Sequence, residues 1–117
     1  MKKKFLLSIS LVFLLSCEAI FVDDISSETI ELLAPSNNVE VPSGDVQFNW
    51  MVLENAEQYR IQIATPDFQN ATQILMDSVL SSTSIIKNLN AGDYSWRVQG
   101  ENSGYTTSFS TNTFKVN

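Results

Sequence analysis

The residues that could carry out chemistry are few, and their types exclude most catalytic arrangements. The sequence has no histidine and a single cysteine, Cys17. Ser-His-Asp and Cys-His arrangements and most zinc sites are therefore excluded. Five carboxylates lie at or near the ends of predicted strands, where solvated acids are usual, so a glycosidase-like pair or a calcium site is disfavoured. These are Glu54, Glu57, Asp67, Asp77 and Asp93. We expect no enzymatic activity, no metal and no cofactor.

Cys17 follows a segment with the layout of an export signal. Three lysines at positions 2–4 precede a mostly apolar run from Phe5 to Leu15 and a small residue, Ser16. Eleven residues in a helix would cover about 16 Å, roughly half of a bilayer's hydrocarbon core, so the run is too short for an ordinary membrane-spanning helix. Residues 1–16 are therefore predicted to be a signal peptide. Cys17 could then be an incidental cysteine after a plain secretory signal, or it could be the site of lipid attachment.

The tetrad Leu14-Leu15-Ser16-Cys17 resembles the lipobox of bacterial lipoproteins. The resemblance implies that the Cys17 thiol is diacylated and that cleavage makes this cysteine the mature N-terminus. Two or three acyl chains form a stable anchor, so the membrane is expected to be a partner through lipid on Cys17. The pair Asp23-Asp24 loosely resembles the acidic patches of surface-exposed lipoproteins of the Bacteroidetes type. A cell-envelope location on the outer membrane is expected, with its periplasmic or surface face left open.

The charge of the mature chain excludes one class of partner. Removing residues 1–16 takes away three of the seven basic residues and none of the thirteen acidic ones, which leaves a side-chain charge of −9. Nucleic-acid binding depends on a high density of lysine and arginine, so no nucleic-acid partner is expected.

The mature chain divides into a short tether and one domain. Residues 17–29 begin with the lipidated cysteine, carry acidic and small polar residues, and show no period of 3.6 or 2. A tether of about a dozen residues reaches at most ~40 Å, which would let the domain stand clear of the bilayer. Residues 30–117 form short apolar or alternating runs separated by turn residues, which predicts an all-β sandwich of about seven strands. After Pro35, the segments Ser36-Asn37-Asn38 and Pro42-Ser43-Gly44-Asp45 are predicted to mark turns or an irregular edge.

Three segments of the domain together resemble a bacterial fibronectin type III-like domain. They are Phe48-Asn49-Trp50, the stretch from Ala56 to Asn70, and Leu89-Asn90-Ala91-Gly92-Asp93-Tyr94-Ser95-Trp96-Arg97-Val98. The spacing of Leu89, Gly92 and Tyr94 matches the tyrosine corner of that fold, which implies a hydrogen bond from Tyr94 back to the preceding corner. The resemblance implies a seven-stranded fibronectin type III or immunoglobulin-like β-sandwich.

The phase of the strands predicts one candidate binding surface. If Tyr59, Ile61 and Ile63 point inward, Arg60 and Gln62 point outward, and the same reasoning places Arg97, Gln99 and Lys115 on that face. Trp50 and Trp96 are in phase with the core, whereas Tyr105 lies in a loop-like stretch without core phase. Ordinary surface cover, with basic side chains paired to nearby acids, is the alternative interpretation of the same residues.

Two functional classes are compatible with these patterns. The first is a non-catalytic binding or accessory module at the cell envelope, which holds a protein or glycan partner. The second is a structural lipoprotein that packs against another envelope protein and binds no small ligand. A ligand-binding module favours exposed aromatic residues near one rim, and Tyr105 is the one such candidate in the sequence.

Overall fold

The domain is an all-β sandwich. The computed structural model describes residues 21–117, so the predicted signal peptide and Cys17 lie outside the described residues. No helix occurs in residues 21–117, and none there is long and apolar enough to cross a membrane. Eight strands are present: β1 (Leu32–Ala34), β2 (Val39–Val41), β3 (Gly44–Trp50), β4 (Gln58–Thr65), β5 (Gln73–Leu80), β6 (Ser84–Leu89), β7 (Gly92–Glu101) and β8 (Ser110–Val116).

The strands form two sheets, and their order confirms the predicted fold class. One sheet has three strands in the order β1-β3-β6, and the other has five in the order β2-β8-β7-β4-β5. Most neighbouring strands are antiparallel. The predicted common face requires that the strands of Arg60, Arg97 and Lys115 share a sheet, and they do, since these strands are β4, β7 and β8.

The predicted count of about seven strands is one too low, because β2 lies between the two segments that were predicted to mark turns or an irregular edge, where no strand was expected. Val39, Glu40 and Val41 pair in parallel with Phe114, Lys115 and Val116 of β8. Three residues between Pro35 and Pro42 are too few to show a period, so only pairing with β8 defines this strand.

Alternating side chains of the two sheets fill one core. Phe48, Trp50 and Trp96 are almost completely buried, and Phe48 contacts Trp96 edge-on with ring centroids 5.1 Å apart. Tyr59, Ile61, Ile63, Tyr94 and Val98 complete the inner face of the larger sheet. The predicted inward phase of β3, β4 and β7 is therefore confirmed.

The tyrosine corner is also confirmed, and it yields a stability prediction. The hydroxyl of Tyr94 donates a hydrogen bond of 2.8 Å to the carbonyl oxygen of Asn90, while its ring stacks on Phe114. Tyr94→Phe keeps the ring and leaves that carbonyl without its partner, so we expect a loss of about 1 kcal/mol or somewhat more in the free energy of unfolding. Tyr105→Phe is the matched control, because Tyr105 is exposed and should change stability little. Equal effects of the two variants in urea denaturation would contradict the role of the corner.

Part of the predicted tether packs against the sandwich. Ile25 is only 2% exposed, and the backbone nitrogen of Glu28 donates to the carbonyl oxygen of Ile25 in a tight turn. The side-chain amide of Asn102 donates to the carbonyl oxygen of Asp23. Part of the predicted tether is therefore in contact with the domain. The expectation that the tether lets the domain stand clear of the bilayer stays a prediction.

Candidate binding surface

Four of the predicted surface residues form one contiguous block on the outer face of the five-stranded sheet. Arg60 of β4 lies opposite Gln99 of β7, and Gln62 lies opposite Arg97 in the same register. Residues directly opposite one another in a sheet point to the same face, so the four side chains are neighbours. All four are partly exposed.

Arg60 is paired with two acids on this face. Its Nη1 lies 3.0 Å from Oδ1 of Asp77, and its Nε lies 3.3 Å from Oε2 of Glu101. The hydrogen bond to Asp77, with further support from Glu101, raises the pKa of the Arg60 guanidinium above its usual value. Both pairs compensate the charge of Arg60 locally. The pair with Asp77 adds little to stability, because both of its side chains are well exposed to solvent.

Arg97 has different surroundings from Arg60. The central carbon of its guanidinium lies 4.0 Å from the ring centroid of Phe68 and 4.3 Å from that of Phe109. Its Nε donates a hydrogen bond of 2.7 Å to Oε1 of Gln62. Among the residues that the structure describes, Arg97 makes no ion pair with a carboxylate. The group is a cation held by aromatic rings and an amide, with its charge uncompensated by a neighbouring acid.

The other three predicted residues have separate environments. Gln99 donates from Nε2 to the carbonyl oxygen of Thr107, which ties β7 to the loop before β8. Tyr105 lies in that loop and is 39% exposed. Nζ of Lys115 lies 3.7 Å from Oδ1 of Asp93. Asp93 is four residues along β7 from Arg97, so the Lys115 and Asp93 pair lies roughly 13 Å from Arg97. The predicted surface is therefore one block of four residues, with Tyr105 and Lys115 outside it.

A loop that sequence reasoning did not place covers part of the outer face. Phe68, in the loop between β4 and β5, contacts Arg97 of β7. Ala64 and Ser95, which lie opposite one another on the outer face, are buried, and Ser95 Oγ lies 3.5 Å from the carbonyl oxygen of Pro66. Small residues at two neighbouring outward positions leave room for the loop. That pattern indicates that this part of the face is covered, but not which residues of a loop contact Arg97.

An open polar cavity lies toward the opposite end of the sandwich from Tyr105. It has a volume of about 430 Å³ and includes the Lys115 and Asp93 pair, with Glu40 and Asp67 on its walls. Within residues 21–117, no three side chains of the types that bind metals are close enough together to hold an ion.

Comparison with known proteins identifies the fold. No protein-family model and no curated protein matches the chain. A fibronectin type III domain derived from the human KIAA0970 protein matches with a TM-score of 0.57 at 16% identity, over 75% of this chain and 72% of that one. FN3tt matches with a TM-score of 0.54 at 12% identity, over 75% of this chain and 95% of that one. Domains d3–d4 of the rat CD45 extracellular region give 0.50 at 8% identity, over 84% and 69%. The chain therefore has a fibronectin type III-like fold, as the sequence resemblance implied.

Proposed function

We propose that this chain is a bacterial envelope lipoprotein, anchored by lipid on Cys17, whose fibronectin type III-like domain binds a protein or glycan partner without catalysis. The anchoring half of the proposal is supported by the three lysines, the short apolar run and the Leu-Leu-Ser-Cys tetrad. The non-catalytic half is supported by the absence of histidine from the sequence and by the exposed positions of Glu54, Glu57, Asp77 and Asp93.

The observation that carries the binding half is the environment of Arg97. A guanidinium fixed by Phe68, Phe109 and Gln62 is oriented before a partner arrives, so less side-chain entropy is lost on binding. Hydrogen bonds from such a cation to an acidic or hydroxyl-rich group are stronger than those between neutral groups. The block around Arg97 is therefore the preferred contact for a carboxylate or sugar hydroxyl of the partner.

A second candidate function is favoured by the ion pairs on the same sheet. Arg60 is paired with Asp77 and Glu101, and Lys115 is near Asp93, so two of the three basic groups of the predicted surface already have acidic neighbours. A purely structural lipoprotein that packs against another envelope protein requires no unpaired charge on this face. This alternative predicts that the Arg97 block makes no contribution to ligand affinity.

A binding comparison separates the two candidates. Partners would be identified by cross-linking in the intact envelope, and their dissociation constants would then be measured with the purified domain. We expect Arg97→Met to weaken binding by about tenfold or more, as the loss of one charge-assisted hydrogen bond implies. Lys87→Met, on β6 of the other sheet, is the control and should leave affinity unchanged.

The outcome is interpretable only for folded variants, so urea denaturation of each variant accompanies the binding measurement. If folded Arg97→Met and Arg60→Met both bind with wild-type affinity, the outer face is not the contact surface, and the structural alternative is favoured.

A further inference from the structure

Asn102 joins the N-terminal segment to one end of the sandwich. Its side-chain amide donates to the carbonyl oxygens of Asp23, at 2.8 Å, and of Asn55, at 3.2 Å. Its Oδ1 accepts from the backbone nitrogens of Gly104 and Tyr105. One side chain therefore connects the N-terminal segment, the β3–β4 loop (residues 51–57) and the β7–β8 loop (residues 102–109). We call the end of the sandwich that carries these two loops the loop end, and the opposite end the far end.

Apolar contacts fix the same segment at the loop end. Cγ1 of Val22 lies 3.4 Å from the position that a Cβ on Gly104 would occupy. Ile25 is also buried, although it lies outside the main core of the sandwich. Ile30 then enters that core, where its Cδ1 lies 3.2 Å from the corresponding Cβ position on Gly100. The segment from Val22 to Ile30 is thus part of the folded domain.

The length of chain between this docked segment and the predicted anchor is small. Five peptide units separate Cys17 from Val22, and even full extension of such a stretch spans no more than about 18 Å. β7 runs from Gly92 at the far end to Glu101 at the loop end, roughly 30 Å away. If the far end faced the bilayer, the docked segment at the loop end would lie roughly 30 Å from it, beyond the reach of Cys17. While the segment stays docked, lipid on Cys17 therefore excludes that orientation.

We infer that the loop end is a membrane-facing surface, seated on the lipid headgroups, and that the far end of the sandwich points away from the bilayer. This inference rests on the proposed lipidation of Cys17. The segment that begins at Val22 is then docked on the domain and does not act as a free tether. The loop that carries Tyr105 contacts lipid and not a protein or glycan partner.

The side chains of the loop end are consistent with a lipid surface of one kind. Four large apolar residues are exposed there: Phe21, Met51, Val52 and Tyr105. Aromatic side chains favour the headgroup region of a bilayer. Carboxylates flank them at Asp23, Asp24, Glu54 and Glu57, and would be repelled by anionic lipid. The match is therefore to zwitterionic headgroups.

Spin labels at the two ends of the sandwich test the orientation. Cys17 is the single cysteine of the sequence, and acylation consumes its thiol, so an introduced cysteine is the one site for a spin label. Ser103→Cys places a nitroxide at the loop end, and Ala91→Cys places one at the far end. The acylated protein is reconstituted into phosphatidylcholine vesicles that contain a nickel-chelating lipid. Relaxation of the nitroxide by nickel falls steeply with distance, so we expect enhancement at residue 103 to exceed that at residue 91 by about tenfold or more.

A released variant provides the matched control. Asn102→Asp cannot donate to Asp23 and Asn55, and Ile25→Asp removes the buried apolar contact, so the double variant should undock the segment and reduce the difference between the two labels. Urea denaturation confirms that the sandwich of this variant is folded. Equal enhancement at residues 103 and 91 in acylated wild-type protein, or a larger value at residue 91, overturns the inference alone. Absence of acyl groups on Cys17 by mass spectrometry overturns the proposed anchoring, and the inference with it.

Discussion

Cys17→Ala is expected to abolish stable attachment to the membrane. The thiol is the predicted site of diacylation, and each buried methylene of an acyl chain contributes about 0.8 kcal/mol to membrane binding, so losing two chains removes the anchor. The variant should be released in soluble form or should accumulate as uncut precursor. Membrane fractionation followed by N-terminal mass analysis distinguishes these products.

The matched control for this change is Ser16→Ala, which keeps a small residue before the cysteine and should leave processing and attachment intact. A Cys17→Ala chain that is cleaved and still fractionates tightly with membranes would contradict lipid anchoring through this residue.

Trp96→Ala is expected to cause the largest loss of stability among core substitutions. Trp96 is fully buried at the centre of the larger sheet, contacts Phe48 and Trp50, and donates from Nε1 to the carbonyl oxygen of Pro35 at 3.1 Å. Truncation leaves a cavity and removes one of the two hydrogen bonds that the Pro35 carbonyl accepts, the other coming from Nδ2 of Asn112. The free energy of unfolding should therefore fall by about 3–5 kcal/mol, mainly through the cavity. That is a large fraction of the 5–15 kcal/mol typical of a domain. Trp50→Ala should cost a similar amount through its cavity.

A milder pair of substitutions separates packing from hydrogen bonding. In the described part of the chain, the buried Nε1 of Trp50 has no hydrogen-bond partner, whereas that of Trp96 does. Phenylalanine removes the indole nitrogen at either position, so Trp50→Phe should be the less destabilising of the two by about 1 kcal/mol or more. A chemical denaturation series in which Trp96→Phe is the milder change would contradict this assignment.

The sequence predicted the sandwich because alternation in β3, β4 and β7 is clean. Phe48 and Trp50, or Ile61 and Ile63, lie on one face of a strand whose other face is polar, and a period of 2 assigns such faces directly. β2 was not predicted, because a three-residue strand has no measurable period and its pairing partner on β8 lies more than seventy residues away in sequence. Long-range pairing of a short edge strand is set by the fold rather than by local pattern.

The candidate surface was only partly predictable for a related reason. Phase placed Arg60, Gln62, Arg97 and Gln99 on one face, and the register of β4 and β7 confirms that they are neighbours. Phase carries no information about loops, so the contacts of Phe68 and Phe109 with Arg97 were not foreseen. The docking of residues 22–29 was missed because it depends on Asn102, which is distant in sequence and has no periodic signal.

The most direct test of the central claim is the intact mass of the wild-type protein extracted from membranes with detergent, combined with fragmentation of its N-terminal peptide. The account predicts a chain that begins at Cys17 and carries a diacylglyceryl group on that residue. A membrane-extracted chain that begins at Cys17 without acyl groups, or that retains Met1, would contradict the assignment of this fibronectin type III-like domain to a lipoprotein.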